Sequence, residues 1–158
     1  MTRKIIFAFI LLVFIPSQLF AWSGFVEKVI DGDTLHIRHI NEKNTVKVRL
    51  YGIDAPEEQQ AYGYNSTEFL RNLCEEKTVV VVDIDADQYG RTVAIVILKD
   101  RILQEELIQA GYAWVYPYFC KDKICDEWKA MQDKSVKSKI GLWNAPNPIP
   151  PWKWKKMR

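Results

Sequence analysis

This sequence predicts an α+β domain: five short strands rolled into a Greek-key β-barrel, with about three α-helices packed on it. Three observations lead there. Between Ser23 and Leu98, five segments carry the apolar/polar alternation or β-branched enrichment of strands. The first three are joined by short turns and so form a meander. Segments with helical spacing follow the third strand and the fifth. That order is the pattern of a small barrel of the OB type.

Each element has its own signal. Phe25, Val26, Val29 and Ile30 form the first strand and run into Asp31-Gly32, a hairpin signal. Leu35, Ile37 and Ile40 alternate with polar partners in the second, and Asn41-Glu42-Lys43-Asn44 is a turn. The third runs from Thr45 to Ile53 through Val46, Val48 and Leu50, and Pro56 stops the pattern. A helix follows from Ala61 or Asn65 to Cys74, with Phe69, Leu70 and Leu73 on one face. Thr78 to Ile84 and Val93 to Leu98 are the last two strands, either side of a turn at Tyr89-Gly90. A second helix covers Ile102 to Ala110 and stops at Gly111; a third spans Asp126 to Lys139 and stops before Gly141.

The two ends read differently from the middle. Arg3-Lys4, an apolar run from Ile5 to Ile15, Pro16 and a small residue at Ala21 have the order of a secretory signal. A membrane anchor is the alternative, but a span needs ~20 apolar residues and this run is shorter and broken by proline. The expected organisation is a signal segment over 1–21, a folded domain over 22–143 and a tail over 144–158, in an exported protein of the periplasm or medium. In the tail, Pro146, Pro148, Pro150 and Pro151 favour polyproline II, and Trp152-Lys153-Trp154-Lys155-Lys156 is aromatic and basic. Two readings stand side by side: a strap whose tryptophans pack on the barrel, and a single-strand-binding tail.

Bulk charge excludes a polyanion-coated surface. The chain has 22 basic and 20 acidic residues, and losing Arg3 and Lys4 leaves 20 against 20. Attraction to nucleic acid must therefore be local. Of three cysteines, Cys120 and Cys125 are placed to close a short loop, leaving Cys74 as a buried small hydrophobe. A zinc site lacks any CxxC pair or nearby histidine.

Three stretches combine into one site: Asp31-Gly32-Asp33-Thr34, Arg49 through Gly52-Ile53-Asp54-Ala55-Pro56-Glu57, and Asp87-Gln88-Tyr89-Gly90-Arg91. Singly, each is an ordinary turn. On a barrel, strand ends can bring Asp33 and Asp54 together, and two adjacent carboxylates need compensation. With no histidine or cysteine in the motifs, oxygen ligands point to calcium or magnesium, and a loose set with waters suits calcium (Ca2+) better. The expected ligands are Asp33, Asp54 and the Ala55 carbonyl, with Asp31 supporting them from behind. Such an ion offsets the charge of a phosphodiester and polarises phosphorus. Glu57, beyond a stiff proline, is positioned to hold and deprotonate water. Arg49 and Arg91 can each donate two parallel hydrogen bonds to phosphate oxygens, which lysine cannot.

On these motifs, the chain resembles the staphylococcal-type thermonucleases, the micrococcal nuclease family, over about residues 23–143, and Gly141-Leu142-Trp143 recurs in exported members. The resemblance implies a calcium-dependent phosphodiesterase acting on DNA and RNA, single strands preferred, that frees a 5′-hydroxyl and leaves 3′-phosphates. It assigns metal binding to Asp33, Asp54 and Ala55, catalysis to Arg49, Glu57 and Arg91, and a nucleotide contact to Tyr89. There are departures. Gln88 stands where well-known members carry a phosphate-contacting lysine, and the base-flanking tyrosine pair is shifted in Tyr116-Pro117-Tyr118-Phe119, leaving Tyr118 as the stacking candidate.

His36, His39, Lys134, Lys137, Lys139, Ser66 and Ser135 have no place in this chemistry. The competing function is a non-catalytic, single-strand-binding module of the same barrel type. Loss of catalysis removes an acid or an arginine first, and all six positions are filled here. A calcium-stabilised interaction domain would leave both arginines without a purpose. No stable protein partner is implied, and a monomer is expected.

Overall fold

The computed structural model describes residues 20–157. The expected signal segment lies outside the described residues except for its last two positions. Among the described residues, no helix is long and apolar enough to cross a membrane.

Five strands close a barrel: β1 (Ala21–Asp31), β2 (Thr34–His39), β3 (Thr45–Leu50), β5 (Thr78–Ala86) and β6 (Thr92–Leu98). Their order is β3-β2-β1-β5-β6, and a parallel pairing of β3 with β6 completes the ring. All other barrel pairings are antiparallel. The expected α+β, OB-type barrel is what the chain forms. Alternation fills its interior: Val26, Val29, Leu35, Ile37, Val48, Leu50, Val81, Ala94 and Val96 are all buried.

Among the described residues, four α-helices pack outside. They are α1 (Gly63–Cys74), α2 (Leu103–Gln109), α3 (Ile124–Lys137) and the single turn α4 (Pro151–Trp154). Short β7 (Arg101–Ile102) extends the sheet beside β6. The apolar stripe of α1 turns Leu70 and Cys74 inward, and α3 drives Trp128 into the core. Gly111 at φ +69° ends α2 as expected, while α3 begins and ends two residues earlier than its spacing suggested.

Three differences from the sequence reading matter. β1 starts at Ala21, where it pairs with Val82, and the Trp22 indole donates to Asp83. Ile40 is exposed because the β2–β3 turn begins there. Most important, the third strand stops at Leu50. Tyr51-Gly52 turns the chain, and Ile53–Asp54 forms a separate strand, β4, paired with β8 (Trp114–Val115). That break swings Asp54 off the barrel wall and over its end.

Cys120 and Cys125 are joined in a disulfide, and Cys74 is free and buried. Within the small ring, Asp122 accepts the Tyr51 hydroxyl at 2.6 Å, which ties the loop to the turn before β4. The C-terminal segment runs across the body as a strap. Trp152 stacks on Tyr116 with centroids 5.1 Å apart and meets Trp114 edge-on at 5.8 Å. Polyproline II geometry holds at Pro150, but Pro151 opens the turn α4, because its fixed φ suits the first helical position.

Candidate active site

Asp33 sits in the turn between β1 and β2, Arg49 near the end of β3, and Asp54 on β4. Register places Thr34 opposite Arg49, and the Leu50 amide donates to the Asp33 carbonyl at 2.9 Å. The hairpin turn and the end of β3 are thus one unit. Gly32 is required there by space. A Cβ on it would lie 2.2 Å from Ser66 Oγ and 2.7 Å from the Ala55 methyl, so only glycine lets the turn approach the Asp54-Ala55 segment.

The two carboxylates converge on one nitrogen. Arg49 Nη2 is 2.9 Å from Asp54 Oδ1 and 3.1 Å from Asp33 Oδ2, while Nη1 donates to the Leu50 carbonyl at 2.8 Å. Asp33 Oδ2 also accepts the Ala55 amide at 2.8 Å, and Asp33 Oδ1 accepts the Thr34 hydroxyl at 3.1 Å. Asp31 stands behind, accepting the Asp33 amide at 3.0 Å. The structure thus brings Asp31, Asp33, Arg49, Asp54 and Ala55 together.

Electrostatics follow from this crowding. Burial, then the charge of Asp33, pushes the Asp54 carboxyl up to about 6, against the pull of Arg49 and Lys155. Burial and the Asp33 charge raise Asp31 to about 6 as well. One guanidinium does not balance these acids, so the cluster favours an added cation. All-oxygen donors make that a hard one. Among the described residues, no three acidic, histidine or cysteine side chains converge as a ready-made cage. An ion would rest on Asp33 and Asp54 and complete its shell with a backbone oxygen and water, which calcium tolerates and zinc does not. The residues fit calcium in that sense.

Glu57 lies on the half-exposed rim, in the turn between β4 and α1. Its amide donates to Gln60 Oε1 at 3.1 Å, and its carboxylate accepts Lys155 Nζ at 2.9 Å. Gly63 allows that turn to be tight, since a Cβ there would come within 1.9 Å of the Glu57 carbonyl oxygen. Lys155 also reaches Asp54 Oδ1 at 3.7 Å. Partial burial lowers its ammonium, but the Glu57 hydrogen bond and the charges of Asp54 and Glu57 outweigh that and leave it above its ordinary value.

Arg91 stands apart from the buried pair. Its Nε donates to Asp87 Oδ2 at 2.6 Å, and its guanidinium lies 5.5 Å from the Tyr89 ring centroid. Slight burial opposes ionisation of Asp87, yet hydrogen bonds from Arg91 and Tyr89 hold its carboxyl below the usual range. Val93 pairs with Arg49 across the parallel β3–β6 contact, so Arg91, two residues before Val93, belongs to the same end of the barrel. Tyr89 is exposed, as is Tyr118, which meets Tyr116 edge-on at 5.6 Å. Tyr116 is the tyrosine nearer the acids: burial, then the Asp54 charge, raises its hydroxyl.

Residues 47–145 match the family model described as staphylococcal nuclease homologue. The chain belongs to the staphylococcal nuclease family. It is 35% identical over 152 residues to an Escherichia coli O157:H7 protein named "Uncharacterized endonuclease", covering 90% of this chain and 96% of that one. It is 31% identical over 166 residues to the Shigella flexneri "Micrococcal nuclease", covering 98% and 91%. A Haemophilus influenzae "Uncharacterized endonuclease" is 36% identical over 159 residues, covering 98% and 86%.

Two residues escaped the sequence reading of this nuclease. Lys155 stood out only as part of a basic tail, and Gln60 not at all. No local pattern marks either, because their roles come from a contact across nearly the whole domain. Ser66 and Ser135, as expected, are structural: their hydroxyls donate to the carbonyls of Tyr112 and Ile108. Lys134, Lys137 and Lys139 are solvated.

Proposed function

We propose that this nuclease is a calcium-dependent endonuclease that hydrolyses DNA and RNA, single strands preferred, leaving 3′-phosphate ends. The observation that carries this is the pair of buried carboxylates, Asp33 and Asp54, held on one guanidinium nitrogen beside the half-exposed Glu57. Asp33, Asp54 and the Ala55 carbonyl would hold the calcium, which when bound would offset the charge of the phosphodiester and polarise phosphorus.

The remaining work falls to side chains of the chain itself. Glu57 accepts a proton from the attacking water, which adds to phosphorus as the bond to the 5′ oxygen breaks. Arg49 Nη2 donates to Asp54 and is ion-paired with Asp33, and Nη1 donates to the Leu50 carbonyl, which leaves Nε and one Nη1 hydrogen for a phosphate oxygen. Arg91 is the better fork. Only its Nε is engaged, so Nη1 and Nη2 together can grip two phosphate oxygens in parallel. Asp87 aims that fork. Tyr89 and Tyr118 offer exposed rings on which unpaired bases stack, which favours single strands.

The disulfide is consistent with export to an oxidising compartment, the periplasm or the medium, after removal of residues 1–21. A monomer suffices, since every residue invoked comes from one chain. The test is incubation of the purified protein with single-stranded DNA in calcium or in excess chelator. Cleavage that requires calcium and leaves 3′-phosphates supports the proposal. Binding without cleavage at any calcium concentration assigns the chain to the non-catalytic class instead.

A further inference from the structure

The C-terminal strap does more than cover apolar surface. It contacts the Glu57 turn at two independent points. Gln60 accepts the Glu57 amide with Oε1 and donates through Nε2 to the carbonyl of Ile149, at the start of the strap. Gln60 is itself buried, so this bridge is shielded from water. Ninety-eight positions beyond Glu57, Lys155 then donates to its carboxylate at 2.9 Å. Between these points Trp152 is stacked on Tyr116 and packed against Trp114, which fixes where α4 and the lysine after it lie.

We propose that Lys155 is a positioning residue of the reaction, acting through Glu57. A half-exposed glutamate on a turn samples several rotamers, and only some aim a carboxylate oxygen at a water beside the Asp33–Asp54 pair. The ammonium, bound to Glu57 Oε1 and 3.7 Å from Asp54 Oδ1, draws the glutamate toward the acids that would hold the ion. Without it, Glu57 and Asp54 are like charges that push the base outward. Half of the Lys155 side chain is exposed, so its strength comes from being anchored by Trp152 rather than from burial. Lys155 thus makes the strap part of the active site.

This inference rests on the nuclease reading, and its test has an arm that does not. Lys155→Met keeps the stem and removes the charge; Lys155→Arg restores it. In full-length protein labelled with 13C-glutamate, side-chain relaxation of Glu57 reports its order directly, in the absence of substrate. The Met variant is expected to loosen Glu57 while its melting temperature and Trp152–Tyr116 signals stay unchanged. With calcium and single-stranded DNA, kcat is expected to fall about tenfold with KM within about twofold, and Arg to recover most of the loss. A Glu57 that is equally ordered in the Met variant overturns the proposal. So does a rise in KM alone, which would make Lys155 a substrate-binding group. If the wild type does not cleave, the nuclease reading fails and the relaxation arm still decides the tether.

Discussion

The Asp33 carboxylate accepts the backbone amide of Ala55 at 2.8 Å, across 22 positions of sequence. Through that bond, the turn between β1 and β2 is fastened to the segment following β4. It holds the two acidic motifs in one place. The same oxygen faces Arg49, so orientation and charge compensation are served by a single carboxylate.

Arg49 neutralises two buried acids, and removing it strands both. Arg49→Met is expected to destabilise the protein by about 3 kcal/mol in chelator, the usual cost of breaking a buried ion pair from one side. Added calcium should recover much of that loss while cleavage stays far below wild type. Urea titrations with and without calcium measure the first effect, and a DNA assay the second.

The pH dependence of stability has an unusual sign in the carboxylate range. Asp31 and Asp54 titrate near 6 in the folded chain, above their ordinary 3.8. Between those values the folded state binds more protons than the unfolded one, so their contribution to stability falls as pH rises through that window. In chelator, Asp54→Asn should flatten this decline and melt higher than wild type at pH 7, although it is inactive. A wild-type melting temperature that rises steadily from pH 4 to 7, with no difference in the variant's slope, contradicts the assignment.

Arg91→Ala should cut kcat by roughly two to three orders of magnitude, the scale for losing one preorganised charged donor. Among the described residues its only ion-pair partner is Asp87 on an accessible loop, so stability should change by less than about 0.5 kcal/mol. Steady-state kinetics beside a thermal melt separates the two effects.

Gly63→Ala places a methyl against the Glu57 carbonyl, where the gap is 1.9 Å. The turn must move, at a cost of about 1–3 kcal/mol. Because the displaced residue is the proposed general base, kcat should drop more than stability alone explains. A variant with wild-type kcat would show that the turn's placement does not matter.

The cysteines should behave as two classes. Burial pushes the Cys74 thiol up to about 12, and its Sγ donates to the Leu70 carbonyl, so it should resist thiol reagents at pH 8 until the protein is unfolded. Replacing both Cys120 and Cys125 with serine should cost about 2 kcal/mol, the value for a short closed loop. Thiol counting in native and denaturing buffer, with a melt of the double variant, covers both.

Local chemistry was legible in one dimension. The alternation through Val26, Val29, Leu35, Ile37 and Val48 specified strands and their inward faces, because a half-buried strand has a period of two. Asp33, Arg49 and Asp54 announced themselves as acids and a guanidinium where an apolar wall was expected, and a buried charge must have a partner. Gly111 and the Cys120–Cys125 spacing were equally readable, since each depends on a few adjacent residues.

Other features needed the folded chain. Alternation through Ile53 concealed the break at Gly52, which depends on Cys120 and Trp128 crowding a position some 70 residues earlier in the chain. Gly32 looked like a turn residue, yet space beside Ser66 and Ala55 is what demands it. Lys155 meets Glu57, and Ile149 meets Gln60, only because Trp152 lands on Tyr116 and fixes the strap. Sequence alone determined the barrel and the kinds of side chain at its reactive end, because those follow from periodicity and charge within short windows. Tertiary structure alone decided which cation faces which acid, since those contacts join residues that only the closed barrel and its strap bring within reach.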